Sequence, residues 1–324
     1  MPQPFDAVLL IAFGGPQGPD DVRPFLANVL RGRRVTPERV EEVAHHYELF
    51  GGISPLTALT ARQADGLRHR LAQDGPALPV YVGMRNWHPY LLDTLRAMAN
   101  DGVRRALGFI LAPHRSYSSC LQYRENVRDA QMTLVANAVR VPEVAYTGDW
   151  YAHAGFVKTW AKHIEAARAE LPADDRGRAR IVFTAHSIPL SMAELYPYRE
   201  QLLESARLIA RRLNHEDWAL AYQSRSGRPE DPWLEPDITD YLRAERARGL
   251  AAAVIAPIGF VSDHIEVLYD LDREAADVCR AIGLPMVRAE APNADPLFID
   301  MMMDVVKSTC ERYRDARPLV ISMV

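Results

Sequence analysis

Short runs of almost uninterrupted apolar residues alternate along this chain with longer stretches in which apolar positions recur every three or four residues. The runs extend from Ala7 to Phe13, Pro79 to Met84, Ala106 to Ala112, Val141 to Tyr146, Ile181 to Ala185, Ala219 to Gln223, Ala252 to Phe260 and Pro285 to Val287. Strands that read as continuous apolar runs are those buried on both faces, as in parallel sheets covered by helices. The amphipathic stretches from Asp20 to Val29, Pro55 to Gln73, Pro89 to Asn100 and Tyr198 to Leu213 predict those helices. The alternation is that of βα units, so the expected class is α/β. Eight strands divide into two groups of four. We expect two doubly wound domains, each built on a four-stranded parallel sheet and joined near residues 115 to 145. They are drawn here as 1–140 and 141–324, with the last helix packing back on the first domain. Met301-Met302-Met303, among Leu297, Phe298, Ile299, Val305 and Val306, predicts a buried helix rather than a metal box.

Polar residues collect just after the strands. The first run leads into Gly14-Gly15-Pro16, the second into Arg85-Asn86-Trp87-His88, and the third into Pro113-His114-Arg115-Ser116. In the second half the loops are His186-Ser187-Ile188-Pro189, Ser224-Arg225-Ser226-Gly227 and Val261-Ser262-Asp263-His264. In parallel sheets these loops share the carboxyl edge, where α/β proteins bind ligands. His186 ends an apolar strand, and Pro189 delays the following helix. By itself the position suits a strand-capping histidine as well as an exposed ligand.

The stretch from Asp263 to Glu274, taken as one helix, sets Glu266, Asp270 and Glu274 at successive i, i+4 positions, roughly 6 Å apart on one face. Like charges at that spacing destabilise a helix. Asp263 with Glu266 also fits a capping box on a solvated face, yet only Arg273 supplies an opposite charge. A ladder of carboxylates beginning at a ligand edge suits metal delivery or proton relay. His45-His46 lies in a polar helical stretch and is expected at the surface.

Composition narrows the partners. A formal net charge of −4 gives no global attraction to nucleic acid or anionic lipid, so any anion site must be local, with Arg31-Gly32-Arg33-Arg34 as the candidate. Three widely spaced cysteines, Cys120, Cys279 and Cys310, allow neither a disulfide framework nor a C-x-x-C zinc pattern, and suit a reducing cytoplasm. No basic leader or bilayer-length apolar run is present, which leaves an amphipathic lip from Val22 to Leu30 as the one route to peripheral membrane contact. There is no G-x-G-x-x-G or Walker sequence after a strand, and no G-x-S-x-G around Ser187.

Several segments resemble the signature segments of ferrochelatases: Thr184-Ala185-His186-Ser187-Ile188-Pro189, Tyr222-Gln223-Ser224, Asp231-Pro232-Trp233-Leu234, and Pro257 through Glu266. The similarity continues through Arg31-Gly32-Arg33, Tyr47-Glu48, Gly51 through Leu56 and Pro292-Asn293, in order along essentially the whole chain. The resemblance implies two Rossmann-like domains flanking a porphyrin cleft. It implies His186 and Glu266 as the metal-site pair, Asp270 and Glu274 as the acidic row behind them, and Phe13, Arg31, Ser54, Tyr123 and Trp233 at porphyrin-contacting positions. Cys120 matches one ligand of the [2Fe–2S] cluster some relatives carry, but four cysteines are needed, so no cluster is expected and no permanently bound cofactor. Porphyrin and ferrous iron are the expected partners, the latter as substrate, for a monomeric cytoplasmic enzyme that binds no nucleic acid.

The chain resembles the coproporphyrin-using branch more than the protoporphyrin-using one, through Ala12-Phe13-Gly14, Arg31-Gly32-Arg33 and Arg85 through Pro89. Phe13 stands where some of that branch carry tyrosine, and so can stack on a ring but not ligate iron. Two other functions fit the same sequence: a chelatase for another tetrapyrrole such as sirohydrochlorin, and a two-domain binding module without chemistry.

Overall fold

The computed structural model describes residues 3–32, 35–226 and 230–315. Eight strands form two separate four-stranded sheets, β2-β1-β3-β4 and β6-β5-β7-β8, with every pair parallel. The strands are β1 (Ala7–Ala12), β2 (Val80–Met84), β3 (Arg105–Ile110), β4 (Glu143–Tyr146), β5 (Ala179–His186), β6 (Trp218–Gln223), β7 (Ala252–Ala256) and β8 (Met286–Arg288). The central strands are buried on both faces: β1 and β7 are buried at every residue, which is why their sequences carry no alternation.

The two sheets share one topology. In each, the second strand pairs on one side of the first and the third strand on the other, so the direction of winding reverses between β1 and β3 and again between β5 and β7. Ligands of open α/β sheets lie outside the carboxyl ends of the strands at such a reversal. The fourth strand belongs to the first sheet, since Arg105 through Gly108 pair with Glu143 through Tyr146. The change of sheet therefore falls after Tyr146 rather than at residue 140. The boundary at 140 would cut off β4, which pairs with the first sheet.

Helical bounds differ from the periodicity mainly at the ends. The stretch from Asp20 begins with a short 3₁₀ turn, Pro19–Asp21, before the α-helix Val22–Val29. A helix that the sequence reading left unassigned, Pro37–Glu48, starts where Thr36 caps the backbone N–H of Arg39 and Pro37 supplies a preset φ.

The halves meet along a largely continuous core. The final helix, Pro296–Asp315, lies between Leu56–Asp74 of the first half and Ala154–Glu170 of the second. Met301, Met302 and Met303 are all buried within it, as core filling. Polar bonds pin the seam. Buried Gln63 donates from Nε2 to Ser262 Oγ at 3.0 Å and to the Asn293 carbonyl at 2.8 Å. His114, fully buried and held neutral by that burial with its pKa pushed down to about 3, bonds Ser205 Oγ at 2.9 Å. Close packing extends to the site: a Cβ added to Gly259 would stand 2.6 Å from Ala185 Cβ, next to His186.

Candidate metal centre and porphyrin cleft

His186 is the last residue of β5, and Glu266 lies in the first helical turn beyond β7. They come from the two strands that flank the reversal in the second sheet, and their side chains face each other with Nε2 to Oε2 at 3.9 Å. The imidazole is about one-third exposed, the carboxylate slightly more. His186 Nδ1 bonds the Ser187 carbonyl oxygen, which can only accept. Nδ1 therefore carries the proton of the neutral ring, and Nε2 presents a lone pair toward Glu266.

His264, which the sequence reading did not single out, approaches the same carboxylate oxygen, with Nε2 3.6 Å from Glu266 Oε2 and Nδ1 3.1 Å from the Ser262 carbonyl oxygen. Burial works against its charged form most strongly, but the bond to Glu266, the nearby charges and the Ser262 carbonyl together raise its pKa. Among the described residues, no three or more His, Cys, Asp or Glu side chains converge as ligands of one metal ion.

The stretch from Asp263 to Glu274 is not a single α-helix. It is α-helical over Ile265–Tyr269, then π-helical over Asp270–Ala275, and α-helical again over Ala276–Ala281. The acidic row depends on this change. Four residues along an α-helix overshoot a full turn by about 40°. In the wider π turn, bonded i→i+5, four residues fall short of one. The two drifts oppose, so Glu266, Asp270 and Glu274 stay aligned where a continuous α-helix would rotate them apart. Asp263 makes no capping box, since His264 occupies the N-cap position without a side-chain bond and Asp263 pairs elsewhere.

Asp270 is strongly perturbed. Burial pushes its pKa up to about 7, with help from Glu266 and Glu274, against hydrogen bonds from Ser224 and Gln223 that favour its charged form. Ser224 Oγ donates to Asp270 Oδ2, and Gln223 Nε2 lies 3.4 Å from the same oxygen while its Oε1 accepts from Thr184 Oγ1 at 2.8 Å. Glu274 is also raised, by burial first and then by Asp237. A cavity of about 220 Å³ adjoins this end of the row, lined in part by Ser224, Asp237, Thr239, Asp270 and Glu274.

The first sheet supplies the facing wall by the same logic. Phe13 follows β1 and Tyr123 lies on the helix after β3, again flanking the reversal. The Arg85 guanidinium, at the end of β2, lies 5.9 Å from the Phe13 ring centre and 5.8 Å from that of Tyr123, joining the two aromatics. Burial pushes the Tyr123 hydroxyl up to about 12, with the Glu266 charge contributing, and the buried Tyr47 is raised for the same two reasons.

Ser54 is buried and fixed by its backbone N–H to the Pro16 carbonyl at 2.9 Å. Trp233 is tied beside Pro189 by an antiparallel bridge, and its indole Nε1 finds no hydrogen-bond partner among the described residues. Arg31 stands apart from the wall, exposed at the end of the lip helix, with Nη2 donating to Asn28 Oδ1 at 2.7 Å. Arg33 and Arg34 lie outside the described residues.

His46, expected at the surface, stacks instead on Tyr269, with ring centres 3.6 Å apart and 13° between planes. The helix Pro37–Glu48 thus touches the helical run that carries the acidic row. His45 beside it is exposed, as neighbours on a helix point in different directions.

The ferrochelatase family model matches residues 5–310. Coproporphyrin III ferrochelatase from Streptomyces coelicolor is 46% identical over 335 residues, covering 98% of this chain and 89% of that protein. Ferrochelatase from Rhodopirellula baltica is 46% identical over 305 residues, covering 94% and 86%. Among solved structures, SirB from Bacillus subtilis with Fe3+ covers 95% of this chain and 97% of its own with a TM-score of 0.60, and at 10% identity it is a likeness of fold alone. A match of this extent decides against the sirohydrochlorin and pure-binding alternatives: the chain belongs to the ferrochelatase family, and its activity is that of a metal chelatase inserting iron in heme biosynthesis.

Proposed function

We propose that Fe(II) enters the porphyrin between His186 and Glu266. The observation that carries this reading is the opposition of those two side chains at 3.9 Å, one from each strand flanking the reversal, with Asp270 and Glu274 in line behind. Metalation removes two pyrrole protons and strips water from the ion. The lone pair on His186 Nε2 suits the acceptance of a pyrrole proton, or ligation of iron, near neutral pH. Glu266 shares either task. Asp270, poised near neutrality, can hold or pass a proton along the row, and carboxylates suit a hydrated hard cation. Phe13 and Tyr123 from the first half and Trp233 beside the His186 loop offer apolar ring surface for the macrocycle, Ser54 fixes the loop after β1, and Arg31 is the rim cation for a propionate.

We further infer that the porphyrin is coproporphyrin III, used to make coproheme. The Streptomyces coelicolor relative carries that substrate in its name, and Arg31 provides the charge a four-propionate ring needs. No helix among the described residues is long and apolar enough to cross a membrane. The three cysteines occupy separate surroundings, Cys279 and Cys310 in different core clusters and Cys120 with Sγ bonded to the Ser116 carbonyl. That separation supports a cluster-free enzyme, in keeping with a monomer working in the cytoplasm.

Replacing His186 by Ala should leave a folded protein with metal insertion reduced by about 100-fold or more. Glu266→Gln should be almost as severe, and Glu274→Gln, furthest from the ring, mild. Near-wild-type turnover by His186→Ala in a continuous absorbance assay contradicts the assignment, and a Glu274 variant worse than the Glu266 variant reverses the order of the row.

The pKa of Asp270 rises on folding, so between about pH 4 and pH 7 the folded protein binds a proton the unfolded chain has released, and its contribution to stability fades as pH rises through that window. Urea unfolding of wild type and Asp270→Asn at pH 4.5, 6 and 8 should show the wild type losing stability relative to the variant as pH rises. A constant difference across that range means Asp270 titrates normally.

For the substrate, each charge-assisted bond to an extra propionate contributes about 1.5–3 kcal/mol, enough for roughly tenfold or more in kcat/KM. Coproporphyrin III should therefore be used better than protoporphyrin IX, with Arg31→Ala lowering mainly the former. Equal or better use of protoporphyrin IX by wild type overturns the substrate reading and leaves the family unaffected.

A further inference from the structure

We propose that Arg288 is a positioning residue for iron insertion, because one guanidinium holds both ends of the segment that carries Glu266 and Asp270. Arg288 is the last residue of β8, set in register opposite Ile255 of β7. Among the described residues its hydrogen bonds go to Asp263, Asp272 and the Ala289 carbonyl, not to His186 or the aromatic wall. Its Nη1 donates to Asp263 Oδ1 at 2.9 Å, while Nε and Nη2 form a fork on Asp272 at 2.6 and 2.9 Å. Asp263 lies three residues before Glu266 and Asp272 two residues after Asp270, so the pair brackets both carboxylates.

Asp263 is fixed a second time. Asn293 Nδ2 donates to its other oxygen at 2.8 Å, and its own N–H donates to Asn293 Oδ1 at 2.9 Å. Arg288 and Asp263 are nearly buried, at 14% and 12% side-chain exposure, and Asp272 is more open at 37%. Asp272 lies inside the π-helical stretch, a form that rarely persists without a local reason. Fastening it to the same planar group that fastens Asp263 sets the distance between the two ends and thereby keeps the wide turn in place. That turn is what keeps Glu266, Asp270 and Glu274 in line. The cation also counters carboxylate charge from behind the segment without occupying the face turned to the cleft. A lysine at this position would keep the charge but lose the fork.

The inference rests on the reading that Glu266 and Asp270 handle iron, so both are tested together. Arg288→Lys, Asp272→Asn and Glu266→Gln are compared with wild type in steady-state insertion with Fe(II) and porphyrin varied separately, and porphyrin affinity is followed by fluorescence quenching. Because a displacement of about 1 Å can cost two orders of magnitude in rate, kcat/KM for Fe(II) should fall about ten- to a hundredfold in Arg288→Lys and less in Asp272→Asn, with porphyrin affinity within about twofold of wild type. Combining the two Arg288 and Asp272 changes should add little to the worse single one, since both release the same end. If Arg288→Lys folds poorly, Asp272→Asn at its more open site carries the test.

Wild-type Fe(II) kinetics in folded Arg288→Lys and Asp272→Asn alongside an impaired Glu266→Gln would overturn the positioning role. Equal losses for iron and porphyrin would do the same, marking a plain structural ion pair. Wild-type turnover by Glu266→Gln would instead overturn the reading of the site itself.

Discussion

Carboxylates held in line repel one another, and the rest of this site is arranged so that the line persists. Glu266, Asp270 and Glu274 face one side of a helical run at a spacing that weakens helices in water, and burial of Asp270 adds a desolvation penalty large enough to move its pKa to about 7. Three groups of contacts offset this. Ser224 and Gln223 bond Asp270 directly, His264 approaches Glu266, and Arg288 binds the carboxylates on the back of the segment. A protein that needed only a folded helix here would be more stable with a lysine in the row. Retaining three like charges makes sense where a cation or protons must pass.

The topology places this row where it can act. Each sheet winds outward in two directions from its first strand, and each gap so created is filled by loops from the two flanking strands. In the second sheet the gap holds His186 and Glu266. In the first it holds Phe13 and Tyr123, with Arg85 between them. Apolar wall and polar wall thus come from the same device used twice, joined by Gln63, by the His114–Ser205 bond and by a final helix that packs on both halves.

Much of this was legible in the chain because burial leaves a simple trace. Strands covered on both faces read as apolar runs, and all eight appeared. His186 drew attention because it ends an apolar strand on the ligand edge, and the acidic row because three carboxylates recur four residues apart with only Arg273 to offset them. The π turn left no such trace: nothing in the sequence of Asp270 to Ala275 marks a wider winding, which follows from tertiary bonds to Arg288. His46 was misplaced for a related reason. Its surroundings in sequence are polar, and it is the packing of its own helix, Pro37–Glu48, against Tyr269 that half-buries it. His264 lay inside a motif already noticed, but its approach to the Glu266 carboxylate is a tertiary contact, which spacing does not reveal.

The central claim is that the two residues flanking the second reversal, His186 and Glu266, receive the iron together. Iron K-edge X-ray absorption on protein loaded anaerobically with one equivalent of Fe(II), before porphyrin is added, tests it most directly. The wild-type spectrum should contain the outer-shell scattering of one imidazole, absent in His186→Ala, with the oxygen shell altered in Glu266→Gln. Identical spectra from all three proteins would mean that iron is held elsewhere and would contradict the account.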